Sequence, residues 1–487
     1  MRVLSILIIL ILLLPISIIV SSIFAPAGEN WSHIVEYLLK DYILNSGIIV
    51  FFSTFFAVVV GIYLAWLVSA FKFPFRNFFK FALVLPLAIP PYIGAYTYNG
   101  LLNYTGVIQS WLRNEFELEI NQQFFDIMNT KGAVIIFTLF LFPYVFLITK
   151  SFLEKQSAGL VESARALGSG NVEIFFRIIL PIARVAIVGG GSLVALEVLN
   201  DYGVVKYFGI ETFSVSIFTT WFSMGDSDSA LKLSLFMMLF VFGILLLEKL
   251  FRGRKKYHYS NTKIRPLKRV TLSGAKGAIS SGICFLVFLF SFLIPVLQLL
   301  YWMLLSFERI DPVKQISMTF NSFFITVIAS ILVVILAVIV ANFNRFAKGK
   351  LGEIFSKVTS LGYSIPGSVI AMGVITLFIN VDREIESFGN YLNIDLSGVV
   401  LSGTIIMLIF AYLTRFLSIA YNSIESGFEK TGKKFHEAGR TMGYGMIGTF
   451  FRIDLPMIKP ALIGGFLLVF IDILKELPLT LILRPFN

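Results

Sequence analysis

The chain has 487 residues, 57% of them hydrophobic and 14% charged, with a mean hydropathy of +0.85; soluble domains run nearer roughly 45–50% apolar and about 25% charged. The single cysteine, Cys284, excludes an intrachain disulfide and a cysteine-built metal site. The net charge of +11 points to membrane orientation rather than to nucleic acid, because cytoplasmic loops of membrane proteins collect Lys and Arg.

Uncharged runs over 3–24, 42–71, 81–112, 277–307 and 315–344 reach or exceed the roughly 20 residues a spanning helix needs. A membrane barrel would instead alternate polar and apolar residues in segments of about 10. The sequence predicts an all-α polytopic membrane protein with eleven spans, near 3–24, 42–70, 81–104, 132–150, 182–205, 231–250, 278–305, 320–343, 358–380, 397–420 and 457–480. The first follows Arg2 and precedes Ala-Pro-Ala at 25–27, as a signal peptide would. Its apolar run is longer than the roughly 7–15 residues of such segments, and it is read as a retained span.

With the N-terminus cytoplasmic, the basic loops fall inside: 71–80 (Lys72, Arg76, Lys80), 251–276 with nine Lys or Arg and no acid, and 344–357 (Arg345, Lys348, Lys350, Lys357). Acidic stretches fall outside: Glu115, Glu117, Glu119 and Asp126 in one loop, and Asp382, Glu384, Glu386 and Asp395 in another. That is the positive-inside pattern.

Between the fourth and fifth spans the chain reads VESARALGSGNVEIFFRIILP (161–181), and before the eleventh it reads HEAGRTMGYGMIGTFFRIDLP (436–456). An offset of 275 pairs Glu162 with Glu437, Arg165 with Arg440, Gly168 with Gly443, Arg177 with Arg452 and Pro181 with Pro456. The same offset pairs Pro91 with Pro366 and Gly189-Gly190 with Gly464-Gly465. Six spans per copy is an even number, so both copies face the same way, as parallel transporter repeats related by a two-fold along the membrane normal. The expected organisation is a first transmembrane unit over 1–250, a basic cytoplasmic linker over 251–277, and a second unit over 278–487 that lacks its last span in this sequence. Each polar stretch reads as a short helix, a glycine break and a second helix starting around Glu173 or Gly448. Small residues on the first helix (Ala164 and Ala166; Ala438 and Gly439) permit close approach by a partner, and Gly168 and Gly443 suit the left-handed position that ends a helix.

Glu162-Ser-Ala-Arg-Ala-Leu-Gly168 with Leu180-Pro181, and Glu437-Ala-Gly-Arg-Thr-Met-Gly443 with Leu455-Pro456, resemble the EAA loop of binding-protein-dependent ABC importer permeases, type I in fold. The resemblance implies that Glu162, Ala164, Arg165, Gly168, Glu437, Ala438, Arg440 and Gly443 form coupling loops seated in a cytoplasmic ABC ATPase dimer. It also implies that ATP and magnesium act on that partner and that this chain binds no cofactor. Two departures stand out: Ser163 replaces the first motif alanine, and Gly439 the second alanine of the other copy. The stretches 196–226 and 474–487 look most like the fused two-unit ferric iron permeases, which implies an extracytoplasmic iron-binding protein as a further partner, besides the lipid bilayer. Thiamine, phosphonate and polyamine permeases share the loop and stay open. From another class, so does a secondary transporter driven by an ion gradient.

Glu197 and Asp201 lie four apart on one helical face, and the offset turns them into Asp472 and Glu476. Ionisable groups inside a span usually face a pathway or a partner, and carboxylates suit a hard cation. These four are the candidate substrate path; alternatively they form an interfacial cluster with Lys206 or Lys475, or touch the binding protein. Gly427-Phe-Glu-Lys-Thr-Gly432-Lys433-Lys434 nearly spells a phosphate loop, but it lacks the Ser or Thr after the lysine and the preceding strand. His33, His258 and His436 lie in expected loops at unrelated positions and are not read as a metal site.

Overall fold

The computed structural model describes residues 2–117, 121–155, 159–252, 269–347, 355–357, 359, 362–392 and 400–485. Glu119, His258, Lys348, Lys350, Asp395 and most of the basic linker lie outside the described residues. In chain order the main helices are α1 (Arg2–Ser21), α2 (Leu39–Ala70), α3 (Arg76–Ala82), α4 (Pro91–Leu102), α5 (Thr130–Lys155), α6 (Gly159–Ala166), α7 (Leu180–Asn200), α8 (Gly203–Tyr207), α9 (Phe213–Phe222) and α10 (Ser227–Arg252). They continue with α11 (Ala275–Phe288), α12 (Ile294–Ser306), α13 (Pro312–Phe346), α14 (Gly367–Leu392), α15 (Ile405–Thr431), α16 (Lys434–Thr441), α17 (Lys459–Lys475) and α18 (Pro478–Leu483). Strands are confined, among the described residues, to a two-residue parallel pair, β1 (Phe71–Lys72) and β2 (Val270–Thr271).

Among the described residues, seven helical segments are long and apolar enough to cross a membrane, or nine when each bent pair counts as one span. The other two expected spans correspond to α1, whose described apolar part is short, and α14. Three expected spans differ in shape. The span at 81–104 is broken, its two halves bent by 92°. Pro90 and Pro91 stand at that break, where proline removes a donor and disfavours helix in the preceding residue. The span at 457–480 bends by 70° around Ile458 and ends at Lys475. In the span at 358–380 a short turn over Gly362–Ser364 and Pro366 precede the long helix, which runs from Gly367 to Leu392. Asp382, Glu384 and Glu386, expected in a loop, therefore stand on α14.

The chain packs as two compact units built from interleaved segments: Met1–Ser32, Ile217–Met238 and Ile310–Asn487 form one, and His33–Ser216 with Leu239–Arg309 form the other. These differ from the sequence repeats, because the opening span of each repeat packs in the unit that holds most of the other repeat.

In the first unit α1 packs on α13 and α14, burying Ile9 and Ile19, while α15 runs along α13 and α17. The segment after α1 is tied down by Asp226, whose carboxylate accepts hydrogen bonds from the Asn30 and Ser229 backbone N–H groups, both at 2.9 Å, and from Ser229 Oγ at 2.7 Å. Burial pushes the Asp226 carboxyl up, but these hydrogen bonds outweigh it and hold the group below the usual carboxylate value.

In the second unit α2, α5 and α7 pack on one another around Phe137, Phe140, Phe142 and Phe146. The close approach needs glycine. A Cβ on Gly61 or Gly190 would come within 2.7 or 2.9 Å of Val145. By the same offset Gly465 faces Ala420, with ordinary contact at 3.5 Å. Both repeats therefore use a glycine to seat the helix that follows the polar loop.

Candidate functional site

The two polar loops close in the same way, bond for bond. After α6, Leu167 N–H donates to Ser163 O, Gly168 N–H to Arg165 O and Ser169 N–H to Ala164 O, at 3.0 Å each. After α16, Met442, Gly443 and Tyr444 donate to Ala438, Arg440 and Gly439 at 3.0, 3.2 and 3.2 Å. Gly168 has φ +88° and Gly443 φ +89°, and a Cβ at either would touch nothing within 4 Å. Glycine is thus required by the left-handed backbone alone, which satisfies the last helical carbonyls. The second helix of each loop begins at Asn171 and at Met446, two residues before the expected Glu173 and Gly448, and passes through one π-helical turn into the following span.

Each loop presents one exposed face and hides one small residue. Glu162 and Ser163 are exposed, as are Glu437, Ala438 and Arg440, while Ala164 and Gly439, paired by the offset, are buried. Arg165 is half-buried. A Cβ on Gly439 would come within 2.5 Å of Ile453 and 2.9 Å of Thr449, which explains why this copy lacks the alanine. The structure adds three apolar pairs that sequence reading passed over. Leu167 and Met442 are 86% and 76% exposed, Val172 and Ile447 72% and 67%, Phe176 and Phe451 61% and 60%. All three pairs keep the 275 offset, the signal by which they could have been found. Exposed apolar groups of this kind suit a lipid surface or a partner protein.

The four acids divide. Asp201 Oδ1 accepts from Val204 N–H at 2.8 Å and Glu476 Oε1 from Leu479 N–H at 3.0 Å, so each caps the short helix that follows, α8 or α18. Glu476 also meets Arg415 of α15, with Nη2–Oε2 at 3.1 Å and Nη1–Oε1 at 3.2 Å, both side chains about 95% buried. Arg415 is a partner that the sequence reading did not consider, because nothing near it in sequence marks it. Gly367 leaves the space, since a Cβ there would overlap Arg415 Nη1 and Glu476 Oε1. Glu197 and Asp472 are half-buried and engaged with neighbours. Among the described residues no three His, Cys, Asp or Glu side chains gather as a metal site.

Two other sequence features find their place. The phosphate-loop look-alike is the last turn of α15, broken by Gly432 at φ +66° before α16, so a helix and not a strand precedes it. His436, expected in a loop, lies on α16 and is buried against Asp454.

Residues 57–257 and 333–484 match the family described as binding-protein-dependent transport system inner membrane component. The chain belongs to this family. One match falls in each repeat, so the permease is a tandem of two ABC importer units in a multi-pass membrane chain. The permease is 26% identical over 449 residues to the Fe(3+)-transport system permease protein FbpB 2 of Haemophilus influenzae, covering 91% of this chain and 81% of that one. It is 24% identical over 460 residues to the probable ABC transporter permease protein y4fN of Sinorhizobium fredii, covering 89% and 78%. It is 29% identical over 182 residues to the spermidine/putrescine transport system permease protein PotB of H. influenzae, covering 37% of this chain and 63% of that one.

Proposed function

We propose that the permease moves ferric iron inward by alternating access, driven by a separate cytoplasmic ATPase dimer that binds ATP and magnesium. An extracytoplasmic binding protein delivers the iron. The N-terminus lies on the cytoplasmic side of a bacterial inner membrane, which puts both polar loops there as well. The observation that carries the reading is the pair of loops, which share their glycine dihedral, their closing bonds and their exposed Glu162/Glu437 and Leu167/Met442. Two like knobs on one chain suit two like grooves on a dimeric ATPase. The near full-length match to an Fe(3+)-transport permease supports iron, whereas the spermidine/putrescine match spans 182 residues.

Glu197, Asp201, Asp472 and Glu476 are assigned to the walls of the path rather than to a resident iron cage. Carboxylate oxygens suit a hard trivalent ion in passage, and Arg415 lowers the negative charge at the Glu476 end. Membership of a binding-protein-dependent family weighs against the ion-gradient alternative. The test is uptake into proteoliposomes carrying permease and ATPase, with iron-loaded or polyamine-loaded binding protein outside. Iron entering only with ATP supports the assignment; polyamine entering instead would replace the cargo and leave the coupling reading standing.

A further inference from the structure

The second polar loop is held from behind by a buried ionic cluster of Arg345, His436 and Asp454, whose offset partners in the first repeat are not ionisable. Asp454, in the π-helical turn before α17, receives Arg345 Nη1 on Oδ1 at 2.9 Å and faces His436 Nδ1 from Oδ2 at 2.5 Å. Arg345 Nη2 also donates to the Gly432 carbonyl that closes α15. The guanidinium lies 4.9 Å from the Phe428 ring centre and 5.3 Å from that of Phe346, and the His436 ring lies 4.8 Å from Phe346, tilted by 53°. All three charged or ionisable side chains are at least 94% buried. One carboxylate thus joins the end of α13, the end of α15, the loop helix α16 and the turn leading into α17.

The offset places Ala70, Val161 and Ile179 at the corresponding positions of the first repeat. Ala70 and Ile179 are buried and apolar. Within the first loop Glu173 and Arg177 pair only with each other on the exposed side, at 2.6 Å, while Arg76, Lys150 and Arg269 gather on Glu154 at 3.9–4.0 Å; none of these groups stands on α6. Apolar contacts let a helix slide at little cost, whereas a buried fork of hydrogen bonds has one geometry.

We propose that Asp454 is a positioning residue that locks α16 to α13 through Arg345 and His436, so that the second repeat transmits motion between ATPase and spans as a rigid lever while the first follows more loosely. This rests on the reading of the loops as ATPase-coupling elements. Removing one member alone would strand a buried charge, so the informative variant carries the first repeat's own residues: Arg345→Ala, His436→Val and Asp454→Ile together. In the reconstituted complex the triple variant should insert, bind the ATPase and hydrolyse ATP, while ATP consumed per iron moved rises about tenfold, within the range of ordinary coupling energies. An unchanged ratio overturns the lock.

Gly443→Val separates this failure from failure of the coupling reading. If Gly443→Val also transports normally with ATPase bound, the coupling reading falls. If only the triple variant is normal, the lock alone falls. Hydrogen exchange of the unaltered permease gives a second measure, independent of whether the triple variant folds. Amides of α16 should exchange about tenfold more slowly than those of α6, and equal rates would overturn the proposal.

Discussion

The carboxylates at the ends of α7 and α17 hold the same repeat position, and their neighbours differ. Both cap the next short helix at its second residue, Val204 or Leu479. Around Glu476 stand Arg415 and Gly367; the offset gives Phe140 and Tyr92 at those positions beside Asp201. Phe140 lies over Gly94, where a Cβ would overlap its ring, just as Arg415 lies over Gly367. Tyr92 lies within electrostatic reach of Asp201. The two glycines are not repeat partners, since Gly94 pairs with Val369, but each lies under one of the paired side chains Phe140 and Arg415, one an aromatic ring and the other a cation. The helix-capping role of the acid is repeated, and the charge beside it is not.

The sharpest way to break this comparison is to remove Glu476 alone. Glu476→Leu leaves the Arg415 guanidinium buried without its carboxylate and should cost about 3–5 kcal/mol, whereas Arg415→Leu with Glu476→Leu should recover most of it. Thermal unfolding of the purified permease reads both; a double variant as unstable as the single one would refute the buried-pair account. Next in size is Gly367→Ala, whose added methyl must displace the ion pair at about 1–3 kcal/mol. Gly94→Ala should cost a similar amount by pushing Phe140 aside.

A smaller stability effect with a large functional one is expected at the loops. Gly168→Val and Gly443→Val should cost about 1–3 kcal/mol of backbone strain each and uncouple transport. Asn at either site should be milder, because Asn visits the left-handed region. Wild-type uptake in the double valine variant would remove the loops from the coupling role. Least visible in stability is Leu167→Glu with Met442→Glu, expected to change unfolding by no more than about 0.5 kcal/mol yet to abolish co-purification of the ATPase. Retained co-purification would show that these exposed groups are not the docking face.

Much of this was legible in the sequence where one residue type answers one physical demand. Gly168 and Gly443 announced a left-handed break because no other residue adopts it so cheaply, and the 275 offset carried the whole loop with them. The helix breaks were less legible. Pro90, Pro91 and Pro460 lie inside runs apolar enough to span, and hydropathy averages over them. The extension of α14 through Asp382 was hidden because charge suggested a loop, whereas the Asp382 carboxylate accepts the Leu401 and Ser402 N–H groups at 2.8 and 2.9 Å. The partners of Glu476 and Asp454 were illegible for a simpler reason: Arg415 and Arg345 lie 61 and 109 residues away, and only the packing of α15 and α13 brings them in.

The most direct measurement of the central claim is ferric iron accumulation in proteoliposomes holding the permease and its ATPase, with the iron-loaded binding protein outside. Accumulation should require ATP and disappear in the Gly168→Val/Gly443→Val variant while the ATPase remains bound. Iron entry at the wild-type rate in that variant, or in vesicles without the ATPase, would contradict the account.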